Sequence, residues 1–129
     1  RAAEYLSARL AGVAGVITPP LDSARIRSTH HLYLLRVDPE RLGADVQIFK
    51  QKLSARGVTN IPHFGPLYKF SVLRQLGYDT AAMQAGCPQA ENVFSRQFTH
   101  LPLYDFTQAQ LKYMADAVIE SVAEMKAGR

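Results

Sequence analysis

The stretch NIPHFGPLYKF, Asn60 to Phe70, gathers the side chains of this sequence best placed to do chemistry. Two prolines, a glycine, a histidine and three large aromatics fall within it. Loops in compact domains are mostly polar surface turns, so rings and an imidazole on a segment stiffened by Pro62 and Pro66 imply packing against something. His63 follows Pro62 and precedes Phe64-Gly65-Pro66 at the end of a predicted strand, where a side chain can face a cleft from a stiff support. From there it could hydrogen-bond a hydroxyl or a phosphate, while Tyr68 could supply a ring face and a phenol.

The remaining reactive side chains read as structural. His30 and His31 are adjacent on a predicted strand and would point to opposite faces, which excludes joint chelation of one metal in that geometry. His100, in an extended segment beside Pro102, is expected to be a packed, satisfied histidine. Cys87 precedes Pro88 with no thiolate-activating neighbours and reads as a buried small residue. Met83, Met114 and Met125 read as core filler. No G-x-S-x-G, H-E-x-x-H, C-x-x-C, P-loop or G-x-G-x-x-G motif occurs in the sequence.

Composition sets the outer bounds. With 129 residues, 47% of them hydrophobic, the chain can bury one core without disulfide or metal staples. Its single cysteine cannot form an internal disulfide, which fits a reducing compartment and makes the cytoplasm the expected location. The longest nearly apolar run, Leu10 to Ile17, is far short of the ~20 residues a membrane span needs, so no membrane anchor is expected. The net charge of +4 is spread over fifteen Lys and Arg interleaved with eleven acids, which argues against a nucleic-acid surface. Its densest basic stretch, Lys50, Lys52 and Arg56, reads as the solvated face of a helix. The chain starts with Arg1 and shows no signal-like segment, so it is expected to begin inside a longer polypeptide.

The elements that must position these residues are legible from pattern. Leu6, Leu10 and Val13 predict a helix over 4–13, ended by Gly12 and Gly15. Val16-Ile17 forms a strand stub stopped by Pro19-Pro20, and HHLYLLRV, His30 to Val37, a strand closed by Asp38-Pro39. Val46, Phe49 and Leu53 predict an amphipathic helix over 44–56 with Gly57 at C′. Val58 to Phe64 reads as a further strand and Leu67 to Leu76 as a helix stopped by Gly77. Two short helices, over 80–85 and 88–97, precede an extended segment from Phe98 to Tyr104. Thr107 and Gln110 form a capping box ahead of Leu111, Met114, Val118, Val122 and Met125, the apolar stripe of a C-terminal helix. The first two strands lack a crossover helix, which implies antiparallel pairing. The expected fold class is therefore α/β (α+β), a small, mainly antiparallel sheet covered by helices.

Taken in order, RAAEYLSARLAGVAGVITPP, HHLYLLRVD, FKQKLSARGVTNIPHFGPLY, RQLGYD and the run from Cys87 to Val122 resemble the C-terminal portion of the DegT/StrS family of pyridoxal-phosphate-dependent sugar aminotransferases. The resemblance covers essentially the whole chain. Its most specific pieces are the HLY…RV strand, the L-x-x-R-G-V helix end before the His-Phe loop, and LPLY followed by T-x-x-Q. It implies a fold-type-I aminotransferase in which a large domain binds pyridoxal 5'-phosphate (PLP) and residues 1–129 are the small C-terminal domain that closes over the active site. A homodimer with sites at the subunit interface is implied too. So is transfer of an amino group from glutamate or glutamine to a keto sugar or cyclitol. His63 falls where the family places a histidine that reaches toward the substrate, and Phe64 to Tyr68 would form the rim. The implied substrate-binding residues are thus His63, Phe64 and Tyr68. Family members often carry a second tyrosine or a proline after that histidine, whereas this chain reads Phe64-Gly65-Pro66.

The family's Schiff-base lysine and the aspartate that pairs with the pyridine nitrogen belong to the large domain, and no segment here resembles their surroundings. Lys50, Lys52, Lys69, Lys112 and Lys126 read as surface residues of helices. The resemblance therefore implies that these residues alone are inactive as a transaminase. It also implies an exposed apolar patch around His63, Phe64 and Tyr68. Two other classes stand beside this one. A free-standing small-molecule-binding or regulatory α/β module would bind a ligand without any large domain. An RNA-binding sheet would need stacking aromatics on its strands, and HLYLLRV lacks the R/K-G-F/Y-G/A-F pattern.

Overall fold

Alternation along one short strand organises the molecule. In β2 (Tyr33–Val37), Tyr33, Leu35 and Val37 are buried while Leu34 and Arg36 turn to the opposite face. The computed structural model describes residues 1–20, 22–61 and 63–128. β2 lies between β1 (Val16–Ile17) and β3 (Phe98–Leu101), antiparallel to both, in the order β1-β2-β3. The register sets Val16 opposite Val37, Tyr33 opposite Leu101 and Leu34 opposite His100.

Helices cover one face of this sheet. α1 (Ala2–Leu10) contributes Ala3, Leu6 and Leu10, and α3 (Val46–Ala55) contributes Val46, Phe49 and Leu53. A one-turn α2 (Pro39–Leu42) adds Leu42 to the same core; Asp38 caps it and Pro39 occupies its first turn. α7 (Gln108–Ala127) lays Leu111, Met114, Val118, Val122 and Met125 against the same core and packs on α1, α2 and α3. Its capping box forms as the sequence predicts, the Thr107 hydroxyl accepting from the Gln110 backbone N–H and the Gln110 side chain accepting from the Thr107 N–H. The resulting architecture is mixed α/β, seven helices with a three-stranded antiparallel sheet among the described residues, as expected from sequence.

Polar ties fix the helices to one another. Within the core, the hydroxyls of Ser7 and Tyr33 are 2.9 Å apart, and burial pushes the Tyr33 phenol up. Arg56 reaches from the end of α3 to Glu120, at 3.3 Å, and to Glu124, while Lys52 donates to Glu124 at 3.1 Å. Lys52 and Arg56, from the basic stretch read as a solvated face, thus form a clasp between α3 and α7. Each exposed pair is individually weak, and the set specifies how the helices align.

Between α3 and β3 the chain makes an excursion onto the other face of the sheet. It runs through a 3-10 turn at Leu67–Lys69, α4 (Ser71–Gln75), α5 (Thr80–Ala85), α6 (Pro88–Asn92) and a π-helical turn at Val93–Gln97. None of the three helices buries a residue, so their apolar side chains are not core. Cys87 is accordingly exposed and Met83 is 38% exposed, which corrects their reading as interior residues. Met114 and Met125 are buried as expected.

Three predicted elements differ. The strand begins at Tyr33, not His30, because His30 takes a left-handed backbone with φ 46° and its N–H donates to Ser28 Oγ. The predicted strand over 58–64 reduces to a single bridge, Ile61 with His100, and its Pro62 lies outside the described residues. The predicted helix over 67–76 breaks at Phe70, whose extended backbone, φ −79° and ψ 130°, separates the 3-10 turn from α4.

Gly15, at φ 91°, turns the chain from α1 into β1, and a Cβ there would strike the Leu42 side chain. Replacing it combines a left-handed backbone penalty with overpacking against α2. Gly15→Ala is expected to destabilise the fold by about 2–4 kcal/mol, read as a lowered urea midpoint with an unchanged slope.

Candidate functional site

The site begins with how the His63 loop is held. On its upstream side Asn60 makes three contacts. Its Oδ1 accepts from the Thr99 hydroxyl at 3.0 Å, and its Nδ2 donates to the Lys50 carbonyl at 3.2 Å and to Ser54 Oγ at 3.3 Å. Ile61 then donates its N–H to the His100 carbonyl at 2.9 Å, stitching the loop to the edge of β3. These bonds tie the approach to His63 to both α3 and the sheet.

The downstream side is fastened by one carboxylate. Glu91, on α6, accepts from the Tyr68 hydroxyl at 3.0 Å, from Gln84 Nε2 at 2.7 Å and from Lys69 Nζ at 2.6 Å. The ammonium of Lys69 is the largest influence holding the Glu91 carboxyl below its usual range, helped by Tyr68 and Gln84. Burial, then Glu91, pushes the Tyr68 phenol up. The four side chains join the 3-10 turn, α5 and α6 into one unit.

Between these anchors, His63 and Phe64 are exposed, Phe64 at 83%. They line a groove of about 370 Å³ whose floor is Leu34 of β2 and Phe98 of β3 and whose wall is Val93 and Phe94. The His63 ring stands edge-on to Phe98, centroids 5.4 Å apart, and edge-on to His100, at 5.8 Å. Tyr68 is buried and does not line the groove; its hydroxyl is committed to Glu91. The structure thus brings His63 and Phe64 together at an apolar cleft and sets Tyr68 behind them. Asn60, Glu91 and His100 were not singled out as site residues from sequence. His100, expected to be packed and satisfied, is packed, but its Nδ1 has no hydrogen-bond partner among the described residues.

A second cavity, about 510 Å³, lies beyond Ile61 near the start of α7, among Val58, Pro102, Tyr104, Phe106 and Tyr113. Its tyrosine at 113 donates to the Arg56 carbonyl at 2.8 Å. This pocket can shelter an apolar body but holds no acid–base pair. No group of three or more potential metal ligands occurs among the described residues. His30 instead faces Asp22 at 3.7 Å. No helix among the described residues is long and apolar enough to cross a membrane.

Whether this chain could itself hold PLP turns on a lysine. The groove at His63 contains none. Lys69 is committed to Glu91, and Lys50, whose ammonium burial holds below the usual lysine range, lines none of the four cavities. The described residues do not fit the cofactor.

With this geometry in place, comparison identifies the class. A model of the DegT/DnrJ/EryC1/StrS aminotransferase family matches residues 1–120, and the chain belongs to that family. No curated protein matches it. Among solved structures, Spr1654 of Streptococcus pneumoniae in its PLP form superposes with a TM-score of 0.75 at 19% identity, over 96% of this chain and 30% of that one. The aminotransferase TlmJ of Streptoalloteichus hindustanus gives 0.74 at 21% identity, over 95% and 30%. PseC of Helicobacter pylori, an aminotransferase involved in the biosynthesis of pseudaminic acid, gives 0.73 at 17% identity, over 95% and 31%. At such identities the likeness is one of fold, and the chain spans about a third of each neighbour's length.

Because the Glu91 carboxyl is depressed in the folded protein, its contribution is present above the ordinary value of 4.5 and is lost as pH falls through the lower, folded value. Glu91→Gln is expected to flatten the acid side of the stability–pH curve below about pH 4.5 and to speed proteolytic cleavage within 63–69 at neutral pH. Tyr68→Phe should speed that cleavage while leaving the pH limb in place.

Proposed function

We propose that residues 1–129 form the small C-terminal domain of a PLP-dependent aminotransferase. The family match over residues 1–120 is the observation that carries this reading, and the PLP form of Spr1654 supports the choice of cofactor. The lysine and the cofactor pocket belong to a large domain outside these residues, and this chain supplies part of the substrate wall. The reaction is transfer of an amino group from glutamate or glutamine to the keto group of a nucleotide-linked sugar or a cyclitol. The protein acts as a homodimer in the cytoplasm.

In this reading His63 and Phe64 touch the keto substrate, and Tyr68 holds their loop from behind through Glu91. An apolar groove with one imidazole suits a sugar ring, whose C–H faces lie on aromatic carbon while a hydroxyl meets the imidazole. The exposed Phe64, Leu67, Val72 and Leu76 give the surface that the large domain covers.

The whole protein should show the visible absorbance of a lysine-linked pyridoxal, bleached by borohydride, while residues 1–129 mixed with PLP should show none. A whole protein without that band overturns the reading. In the active enzyme, His63→Phe is expected to raise KM for the keto substrate about 10-fold with a smaller change in kcat, as loss of one substrate hydrogen bond requires.

A further inference from the structure

The cavity beyond Ile61 has no part in the His63 groove. At about 510 Å³ it falls within the size of pockets that hold small molecules, roughly 300–1,000 Å³. It opens where three segments meet: the exit of α3 at Gly57 and Val58, the exit of β3 at Pro102, and the first turns of α7. Tyr104, Phe106 and Tyr113 give it three aromatic rings.

Its walls are held by hydrogen bonds within the protein. The Tyr113 hydroxyl donates to the Arg56 carbonyl at 2.8 Å, the Val58 N–H to the Leu53 carbonyl at 3.0 Å, and the Ile61 N–H to the His100 carbonyl at 2.9 Å. The Phe106 N–H donates to the Tyr104 carbonyl at 2.8 Å, a tight turn that sets those two rings edge-on with centroids 5.7 Å apart. A pocket braced in this way exists before anything enters it, which spares a ligand the cost of ordering its walls. Yet Tyr104 is 68% exposed and Tyr113 59%, ring surface that the described residues leave in water.

Charge decides what can enter. No Asp, Glu, Lys, Arg or His lines the cavity among the described residues, and its polar lining, Thr59 and Gln110 besides the tyrosines, is uncharged. A phosphate or carboxylate would shed its hydration there and meet no counter-charge. A flat ring instead gains from aromatic walls beyond the area it buries. Because the surface is concave, an inserted molecule also meets more of it than the face of a second protein would.

The geometry points to a second small-molecule site, which takes an uncharged, flat, mainly apolar ring among the side chains at the exit of β3 and the start of α7. The ligand differs in kind from the keto sugar assigned to the His63 groove, and the inference holds whichever substrate that groove takes.

Indole is the probe and the methyl of Met114, a lining residue, is the reporter. In the whole protein with 13C-labelled methionine methyls, assigned through Met114→Leu, indole is expected to shift the Met114 signal to saturation with a midpoint near about 1 mM. Met125, buried in the same core but outside the lining, should not move. Benzoate, similar in size but charged, should bind about 10-fold more weakly or worse. Ala109→Phe, at an exposed position of the lining, fills the cavity and is expected to weaken indole about 10-fold. Tyr104→Ala removes one wall and should weaken it about 5-fold, which keeps the test open if the first variant does not fold. A shift that never saturates, benzoate binding as well as indole, or unchanged binding in both variants overturns the site. So does a Met114 methyl that fails to respond, the result expected if another domain or a second copy fills the cavity.

Discussion

The antiparallel pairing of β2 with β3 is the interaction on which the rest of the molecule depends. Because side chains alternate, one register sends Tyr33, Leu35 and Leu101 into the core and Leu34, Phe98 and His100 to the other face. α1, α3 and α7 bury the first set. Leu34 and Phe98 of the second set become the floor of a groove instead of a second core, and the excursion lays Ala90, Val93, Phe94 and the His63 loop around it. A slip of one residue would exchange the two faces and lose both core and groove.

Above that floor, the loop carrying His63 is short of buried apolar contacts and is held by polar ones. Asn60 and the Ile61–His100 bridge tie its start to the sheet, and the Glu91 cluster ties its end to α5 and α6. Such a segment belongs to the least stable part of a fold, where binding loops are commonly found. Its anchors are few and chemically specific, so the position of His63 depends on a small number of hydrogen bonds. The π-helical turn at Val93–Gln97 brings Phe94 to 5.7 Å from Phe98 and completes the wall.

Membership of an aminotransferase family and a shared fold place the chain in a chemical class, but fold does not choose a substrate. In the proposed reading that choice lies with the groove residues, where the chain runs Phe64-Gly65-Pro66 after His63. Pro66 stiffens the rim, and Phe64 projects from it at 83% exposure. An aromatic so placed acts only once something covers it.

Much of the fold was legible because it rests on local rules. The Thr107–Gln110 box and the stripe from Leu111 to Met125 are decided by residues three or four apart, and the alternation of β2 by neighbours two apart. Even the aminotransferase resemblance rests on short motifs in order. The site was legible only in part. His63 and Phe64 announce themselves by composition, whereas the burial of Tyr68 depends on Glu91, 23 residues away, and the hold on the loop depends on Asn60 meeting Thr99, 39 residues away. The break at Phe70, the exposure of Cys87 and the sealed Nδ1 of His100 follow from what the excursion does and does not cover. Sequence by itself settled which residues prefer helix, strand or turn, since those preferences act along the chain. Tertiary structure alone decided which side chains are enclosed and which are left facing the groove, because enclosure is set by atoms distant in sequence.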